Sequence, residues 1–356
     1  FSVNDMKISG AEIYVSGNTF DPSDGTSAGH VAKWNGSNWS TLGAEFDGYV
    51  DEISVSGTDV YAVGSFETVG ETLAKHIAKW NGTGWSALGS GLNGVANAIA
   101  VSGTDVYAGG SFVSGGTAAG YVSKWNGTSW SMLGLGMKGP YVFSLAISGT
   151  DIYAGGRFDS ASGTPANNIA RWNGSSWSSP GSGLNGIVRT IAVTGTGILA
   201  SNDGRTVRWN NSSWSSVDPT ETESRVTDFA VSGADVFAAG YFTADGGSTY
   251  SGAAKWNGTG WTALGPGSWP NGPQGTRASV SSIAVSGSNV YVGGGWHDSL
   301  TFRAQGGFLF KWNGSGWSSL GSEMTGGIHG SWVSSIAVSG NDVYAGRRFD
   351  STGGAT

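Results

Sequence analysis

Few residues of this chain belong to the types that perform catalysis or hold metal ions. Its 356 residues include no cysteine, which excludes thiolate nucleophiles and the usual structural zinc sites. The histidines are His30, His76, His297 and His329. His30 and His76 occupy equivalent rim positions in neighbouring repeats, and no third ligand accompanies His297 and His329. We therefore predict neither a metal site nor a bound cofactor.

Two acidic segments have a superficial likeness to known motifs. Residues 21–25, Asp-Pro-Ser-Asp-Gly, lack the full set of oxygen ligands of a calcium loop. Residues 201–204, Ser-Asn-Asp-Gly, resemble the Asp-box of sialidases, but the glycine stands one position early and the motif occurs once. No paired carboxylates, phosphate-binding loop or Ser/His/Asp order is evident, and acid/base catalysis needs such groups to converge. The sequence favours a protein that is not an enzyme.

The main concentration of aromatic, histidine and charged side chains lies in three enlarged loops, from Trp261 to Ser286, from Trp296 to Trp312 and from Trp317 to Ser339, each longer than its counterparts elsewhere. Loops on a rigid scaffold tend to carry binding residues, and flat rings beside hydrogen-bonding groups suit a sugar or an extended peptide. The alternative is that these segments only cover an irregular seam. The candidate ligand-binding residues in or beside them are Trp269, Trp296, His297, Asp298, Arg303, His329 and Trp332.

These segments belong to a tandem repeat marked by the element Trp-Asn-x-x-x-Trp. A repeat of roughly 40–50 residues built from short strands and turns is typical of propeller blades. We expect the tryptophans to pack blade against blade, because repeated aromatic residues usually fill cores. They are Trp34 and Trp39, Trp80 and Trp85, Trp125 and Trp130, Trp172 and Trp177, Trp209 and Trp214, Trp256 and Trp261, and Trp312 and Trp317.

Residues 96–134 show how one repeat predicts four strands, A to D. Alternating apolar residues flank a Ser-Gly-Thr-Asp turn, which indicates an A–B hairpin. A second hairpin, C–D, turns at Asn126-Gly127, the dipeptide that most favours a type I′ turn. The five-residue spacing places both tryptophans of a repeat on one face of this hairpin.

The number of turns sets the number of predicted blades. The A–B turn occurs eight times and the C–D element seven times, so the last repeat is half present. We predict an all-β fold, a β-propeller of four-stranded antiparallel blades, with eight blades of which the last is incomplete. Seven blades with a leftover hairpin is the alternative, disfavoured because an isolated hairpin is marginal in water. The whole of 1–356 is expected to be one domain, with approximate blades 1–43, 44–89, 90–134, 135–181, 182–218, 219–265, 266–321 and 322–356.

Both short turns keep a constant length, so differences in length fall on the opposite face of the blades, where the B–C and D–A loops emerge. A basic residue precedes the first tryptophan in every copy, and an acid follows the A–B turn in most of them. These two rows could pair, but surface ion pairs contribute little stability, so the sequence favours solvated charges at the rim.

The amino-acid composition argues against a nucleic-acid partner and against membrane insertion. Charged residues make up 12% of the chain and the net charge is −7 without charge runs, so we predict no nucleic-acid partner. No apolar run approaches the roughly 20 residues of a membrane-spanning helix, so no membrane insertion is expected. The chain begins at Phe1 without an initiator methionine and stops within a repeat, and we expect a processed or partial chain.

The repeat Lys-Trp-Asn-Gly-x-x-Trp-Ser-x-Leu-Gly, followed by Ile-Ala-Val-Ser-Gly-Thr-Asp-Val-Tyr-Ala-Gly-Gly, resembles tandem repeats of secreted or surface β-propeller proteins of bacteria, with a general likeness to kelch-type propellers. The resemblance covers nearly the whole chain and supplies no catalytic residues. It implies an extracellular or cell-surface location and a binding, adhesive or scaffolding role.

The function expected from sequence is therefore non-catalytic binding or adhesion, with a glycan or an extracellular protein held on the long-loop face near the seventh blade. A structural subunit of an extracellular assembly, with self-assembly through the incomplete last blade, is the alternative. A polysaccharide-active enzyme is the third hypothesis.

Overall fold

Period-two apolar patterns and glycine turns fold the chain into antiparallel strands. The computed structural model describes residues 2–10, 12–20, 27–112, 121–194, 197–203, 205–216, 225–232, 235–243, 249–256, 261–265, 276–298, 304–321, 332–339 and 342–346. Every regular element in these residues is a β-strand. The chain divides into two compact units. An N-terminal unit comprises Asn4–Val193 and Trp209–Trp214, and a C-terminal unit comprises Phe1–Val3, Thr194–Arg208 and Ser215–Thr356.

Four four-stranded sheets form the N-terminal unit, apart from the first residues of β1, and each keeps the strand order A-B-C-D. Small additional sheets, β7-β8 and β15-β18-β19, form in the second and fourth repeats. The strands are β1 (Ser2–Ser9), β2 (Glu12–Phe20), β3 (Ser27–Trp34) and β4 (Trp39–Thr41); β5 (Val50–Ser56), β6 (Asp59–Gly64), β7 (Thr68–Val69), β8 (Thr72–Leu73), β9 (Ile77–Trp80) and β10 (Trp85–Ala87); β11 (Ala96–Ser102), β12 (Asp105–Gly110), β13 (Val122–Trp125) and β14 (Trp130–Met132); and β15 (Met137–Lys138), β16 (Tyr141–Ser148), β17 (Asp151–Arg157), β18 (Ser160–Ala161), β19 (Thr164–Pro165), β20 (Ile169–Trp172) and β21 (Trp177–Ser178).

The fifth repeat supplies four strands that are divided between the units, β22 (Val188–Thr194), β23 (Gly197–Asn202), β24 (Arg205–Trp209) and β25 (Trp214–Ser216). The sixth and seventh repeats form four-stranded sheets of the C-terminal unit, and the described part of the last repeat forms a two-stranded sheet. These strands are β26 (Arg225–Ser232), β27 (Asp235–Thr243), β28 (Thr249–Trp256) and β29 (Trp261–Ala263); β30 (Thr276–Ser286), β31 (Asn289–Asp298), β32 (Ala304–Trp312) and β33 (Trp317–Ser319); and β34 (Ser335–Ser339) and β35 (Asp342–Gly346).

Successive four-stranded up-and-down sheets of this kind are the blades of a β-propeller. The fold predicted from the repeat, an all-β propeller of four-stranded antiparallel blades, is confirmed. In each described C–D hairpin outside the fifth blade the two tryptophans are direct cross-strand partners, as the five-residue spacing predicts. Their ring centroids are 5.4 to 5.7 Å apart, for example 5.6 Å between Trp125 and Trp130.

The second tryptophan of a blade is hydrogen-bonded to the blade before it, a contact that we call the indole lock. The Nε1 group of Trp130 donates to the carbonyl oxygen of Leu88 at 2.7 Å, across the interface between the third and second blades. The adjacent Gly89 has a φ of 63°, and a Cβ there would lie 2.8 Å from the Trp125 ring. Only glycine therefore fits under the rings. The same bond joins Trp85 to Leu42, Trp177 to Leu133, Trp214 to Pro180 and Trp317 to Leu264.

A second set of contacts joins the A strands of neighbouring blades. A β-bulge shifts the A–B register near the start of strand A, for example between Val50 and Glu52. The side chain that follows the bulge then accepts the backbone N–H of the next A strand, so that Glu52 Oε2 accepts from Ile99 at 3.0 Å. Equivalent bonds run from Ile53 to Asp5, from Ile191 to Ser144, from Ile283 to Asp228 and from Ile336 to Ser282.

The charged rows at the tight-turn face form ion pairs, so the preference for solvated rim charges was wrong for five blades. The basic residue of strand C lies opposite the aromatic residue of strand B, which brings its cation both to the turn acid and over the ring. Lys79 Nζ lies 2.7 Å from Asp59 and 5.5 Å from the Tyr61 ring centroid. The other pairs are Lys33 with Glu12, Lys124 with Asp105, Arg171 with Asp151 and Lys255 with Asp235.

Trp177→Phe tests the indole lock, because it removes the Nε1 bond to Leu133 and keeps an aromatic ring at a 5% exposed position. The buried carbonyl left without its donor should lower the free energy of unfolding by about 1–3 kcal/mol. The matched control is Trp39→Phe, since Trp39 is 50% exposed and should tolerate the change within about 0.5 kcal/mol. Urea unfolding of both variants measures the difference, and equal losses would contradict the lock.

The raised pKa of Glu52 predicts that the free energy of unfolding depends on pH. Burial raises the pKa of Glu52 from 4.5 to about 7, with the charge of Lys7 opposing this rise and that of Asp5 adding to it. Between these values the folded protein holds a proton that the unfolded chain releases, so the free energy of unfolding falls as the pH rises from 4.5 to 7. Glu52→Gln should flatten this dependence in unfolding curves recorded at pH 5 and pH 8. An unchanged slope would show that another group is responsible.

Candidate functional site

An open cleft of about 830 Å³ lies between the second and third blades of the N-terminal unit. Two loops of the second blade form one side and the C–D hairpin of the third blade forms the other. Its walls combine aromatic rings with groups that donate or accept hydrogen bonds. The principal lining residues are Glu67, Lys75, His76, Ser90, Leu92, Asn93, Trp125, Thr128, Ser129, Trp130 and Met132.

The indole lock positions the aromatic wall. Because Nε1 of Trp130 is bonded to Leu88, the ring cannot turn, and the Trp125 ring is held beside it over Gly89. Both rings remain half-buried, so part of each is accessible from the cleft. The Asn-Gly turn of the same hairpin is fixed by Asn126 Oδ1, which accepts the N–H groups of Thr128 and Ser129, each at 2.9 Å.

The loops of the second blade hold the polar wall. Asp47 Oδ1 accepts the backbone N–H groups of Glu67 and Thr68 at 2.8 and 2.9 Å, which fixes the backbone that carries the Glu67 carboxylate. The Leu92 N–H donates to the Lys75 carbonyl oxygen at 2.9 Å, so the D–A loop is tied to the start of strand C. The Lys75 side chain is half-buried, whereas Glu67 and Asn93 are exposed.

His76 has an unusual backbone conformation, with a φ of 62°. Few residues other than glycine, asparagine and aspartate adopt this left-handed region, and such residues often mark functional positions. The conformation is maintained by backbone bonds, from His76 N to Phe66 O at 2.8 Å and from Gly64 N to His76 O at 3.2 Å. Burial lowers the pKa of His76 from 6.5, and Nδ1 lies 3.2 Å from the Gly64 carbonyl oxygen, so the neutral imidazole donates from Nδ1 to Gly64 and keeps Nε2 as an acceptor.

The fourth blade shows why the cleft of the second blade is open. Asn167 and Asn168 stand there in place of Lys75 and His76, and their side-chain amides donate to Ser182 O at 2.9 Å and Leu184 O at 2.8 Å. These bonds tie the polar side chains to the D–A loop of their own blade. In the second blade the backbone bond from Leu92 to Lys75 is retained, whereas the His76 side chain bonds to the Gly64 carbonyl oxygen instead of the D–A loop, and both Lys75 and His76 line the cleft.

Glu67 is the one carboxylate among the lining residues of the cleft. In the described part of the chain, no group of three histidine or acidic residues is placed to hold a metal ion. Flat indole faces bordered by donors and acceptors suit a polar ligand with apolar faces.

Part of the site predicted at the seventh blade lies in strands and not in loops. β31 and β32 are longer than strands B and C of the second to fifth blades, and Trp296 is paired with Ala278 on one side and Gly306 on the other. The Trp296 side chain is 5% exposed and packs against Phe308, with ring centroids 5.1 Å apart, and against Phe310. The placement of Trp296 in a loop was therefore wrong, because the apolar alternation of strand B continues to it.

The other members of the predicted cluster are only partly brought together. His297 lies opposite Arg277, and its Nδ1 is 3.4 Å from Ser279 Oγ. Burial and the Arg277 charge lower the pKa of His297. Asp298 ends β31 opposite Thr276, and Trp332, which precedes β34, is half-buried. Trp269, Arg303 and His329 lie outside the described residues, so a ligand site at this end of the blade stays a prediction.

The remaining histidine, His30, is more enclosed than a rim position. Its Nε2 lies 3.0 Å from Thr19 Oγ1 and its Nδ1 lies 3.8 Å from Glu45.

Sequence reasoning missed the cleft beside His76, although one signal was present. The residues at the start of strand C differ between repeats, and the asparagines of the fourth repeat are the type that tolerates a left-handed backbone.

No protein-family model and no curated protein sequence matches the chain. Solved structures similar to it include the computationally designed Ika8 protein, with 17% identity over 97% of this chain and 93% of that chain and a TM-score of 0.59. The β-propeller domain of the Trilobed protease from Pyrococcus furiosus, described as having an open velcro topology, matches over 90% of this chain and 98% of that chain, with 10% identity and a TM-score of 0.51.

A puromycin-hydrolyzing peptidase from Mycobacterium tuberculosis matches over 89% of this chain and 53% of that chain, with 10% identity and a TM-score of 0.53. At such identities these similarities concern the fold alone. Among the described residues, none forms a helix with the length and apolar character needed to cross a membrane.

His76→Asn tests whether the left-handed backbone at the cleft is strained. Asparagine adopts this conformation at the equivalent Asn168, where φ is 69°, so the variant should keep or raise the free energy of unfolding, by up to about 1 kcal/mol. His76→Val, with a β-branched side chain, should lower it by about 1–3 kcal/mol. Thermal unfolding of both variants gives the comparison, and a more stable valine variant would disprove strain at this residue.

Proposed function

We propose that this chain is a non-catalytic extracellular binding propeller whose cleft between the second and third blades takes a neutral oligosaccharide. The observation that carries this proposal is the pair of immobilised, half-exposed indoles, Trp125 and Trp130, facing hydrogen-bonding side chains across the cleft. A pyranose has C–H groups on its faces and hydroxyl groups around its edge. It can therefore lie on an indole while its edge meets polar groups.

The groups around the indoles match the edge of a sugar. Lys75 supplies donors and Glu67 supplies acceptors, and neutral His76, whose Nδ1 donates to Gly64, supplies a further acceptor at Nε2. Hydroxyl groups of Thr128 and Ser129 add short polar side chains at the hairpin end. Because the rings are fixed by the lock, little side-chain freedom is lost when a ligand binds, which favours affinity.

The charge of the cleft supports a neutral ligand over an anionic one. Lys75 is its one lysine or arginine, and Glu67 lines the same cleft. The whole chain carries a net charge of −7. A polyanionic glycan would need a cluster of cations, which these lining residues do not form.

The test of this function converts the cleft to the form of the fourth blade. The double variant Lys75→Asn and His76→Asn should let amides bond to the D–A loop, as Asn167 and Asn168 do, and so remove the two polar groups from the wall. Binding of neutral oligosaccharides, found on a glycan array and measured by calorimetry, should weaken at least about tenfold, or 1.4 kcal/mol. Thermal unfolding should show that the fold is retained.

Lys138→Asn is the matched control, because it removes the same charge from an exposed residue that does not line the cleft, and its sugar affinity should equal that of the parent. A parent protein that binds no neutral glycan, or a double variant with unchanged affinity, would refute the proposal. A protein partner whose binding is not competed by sugar would instead favour the protein-binding alternative.

A structural role in an extracellular assembly is the second candidate. It is favoured by the last blade, whose described residues form only two strands.

A further inference from the structure

A β-bulge leaves one residue unpaired near the start of strand A. In the second, third and fourth blades the A–B register shifts at Asp51, Asn97 and Phe143. Asn4 and Arg189 hold the same place in the first and fifth blades, because the bonds between neighbouring A strands involve the residues that follow them. We call the four residues of the second to fifth blades the bulge row, and all four belong to the N-terminal unit.

In the first, sixth and seventh blades a short side chain at this place ties strand A to the next blade. Asn4 Nδ2 donates to the Val50 carbonyl oxygen at 2.8 Å. Within the C-terminal unit, Thr227 Oγ1 donates to the Val280 carbonyl oxygen at 3.0 Å, and Ser281 makes the equivalent bond. The structural role of this position is therefore to donate to a backbone carbonyl of the neighbouring A strand.

The second and third blades have polar side chains at this place but do not use them in that way. Asp51 and Asn97 are half-buried, and neither side chain is hydrogen-bonded or ion-paired to another residue that the structure describes. Burial raises the pKa of Asp51, and no nearby cation opposes the rise. Taking a carboxylate partly out of water without a partner costs free energy, which a cationic ligand would offset.

The fourth and fifth blades place an aromatic surface and a cation in the row. The Phe143 ring stacks on the Tyr141 ring, with centroids 5.4 Å apart and an angle of 20° between the ring planes. Arg189 Cζ lies 5.4 Å from the Phe143 ring centroid. Tyr141 is 42% exposed, and Arg189 is also exposed. A guanidinium held against a ring keeps N–H groups at its edge, where a carboxylate can accept two parallel bonds.

Contacts between the blades set the order of these groups. The bonds between neighbouring A strands join the second blade to the third at 3.0 Å and the fourth to the fifth at 3.2 Å, in each case through the residue that follows the bulge. A Cβ on Gly109 of the third blade would lie 2.7 Å from Val142 of the fourth, so these two blades are also in contact. From the second blade to the fifth, the row therefore presents a carboxylate, an amide, an aromatic ring and a guanidinium on successive strands.

We propose that the bulge row binds a short peptide through the peptide's free amino group and free carboxylate. Asp51 accepts from the amino group, and Arg189 donates to the carboxylate. Asn97 donates to and accepts from the peptide backbone between them. An apolar side chain of the peptide packs on Tyr141 and Phe143.

Charge complementarity favours this ligand over other classes. The opposite charges at the two ends of the row match the two ends of a peptide and set its direction. The Asp51 carboxylate disfavours an acidic glycan, and a neutral sugar would leave both charges of the row without a partner.

The probes are the peptides Gly-Phe, Gly-Gly-Phe and Gly-Gly-Gly-Phe, each titrated into the intact protein at low ionic strength in a calorimeter. Three lengths are used because the peptide must reach from Asp51 to Arg189. At least one peptide should show saturable binding with one peptide per chain. Acetylation of its amino group should weaken the binding at least about tenfold, and so should amidation of its carboxylate.

Variants of the protein assign each end of the peptide. Asp51→Asn introduces the residue type that the first blade has at Asn4, so thermal unfolding should show a retained fold. This variant should remove the effect of acetylation but not that of amidation, and Arg189→Gln should do the reverse. Arg171→Gln is the matched control, because it removes an arginine charge at the tight-turn face, where Arg171 is paired with Asp151. Its peptide affinity should equal that of the parent.

Absence of saturable binding by all three peptides, capped peptides that bind as well as the free one, or equal effects of the two arginine variants would overturn the proposal. So would an Asp51→Asn variant whose peptide binding is still weakened tenfold by acetylation. Arg189 does not line the cleft between the second and third blades, so oligosaccharide binding by Arg189→Gln should equal that of the parent. Failure of peptide binding and failure of oligosaccharide binding are therefore separate results.

Discussion

The contact on which the blades depend is the hydrogen bond from an indole to a leucine or proline carbonyl of the preceding blade, made over a glycine with a left-handed backbone. The bond satisfies a buried donor and a buried acceptor, and an unmade bond between such groups would be costly. The glycine admits the ring to a distance that no other residue allows. The second and third repeats thus carry both halves of the lock, a tryptophan pair and a Leu-Gly element, and each half is used on a different neighbour.

The same contact creates the candidate binding surface. An indole whose Nε1 is bonded to the preceding blade, such as Trp130 or Trp177, cannot rotate, so an interface with this bond contains a fixed aromatic platform. Local residues decide whether that platform is reachable. In the first interface Phe46 packs against Trp85 with ring centroids 5.0 Å apart. In the second interface the smaller Leu92 takes the place of Phe46, and Lys75 and His76 line the cleft. The Trp125–Trp130 pair therefore lines a cleft together with polar side chains of the second blade.

Much of the blade could be predicted from sequence, because its patterns are local. The position of the Asn-Gly turn sets the C–D register, and register places Trp125 opposite Trp130. Contacts between blades could not be predicted in this way, since Trp130 and Leu88 are 42 residues apart and neither pattern names its partner. The ion pairs were considered from sequence but not preferred, because surface pairs contribute little stability. The strand pairing places Lys79 directly across from Tyr61 and beside Asp59, which the sequence pattern does not show.

A further kind of contact joins repeats within the C-terminal unit. Thr227 Oγ1 donates to the Val280 carbonyl oxygen at 3.0 Å, and the equivalent Ser281 donates to Val333. Ser334 at the same position donates to the Val3 carbonyl oxygen at 2.9 Å. A short hydroxyl side chain at this one position of strand A therefore adds a bond between blades to those that the tryptophans make.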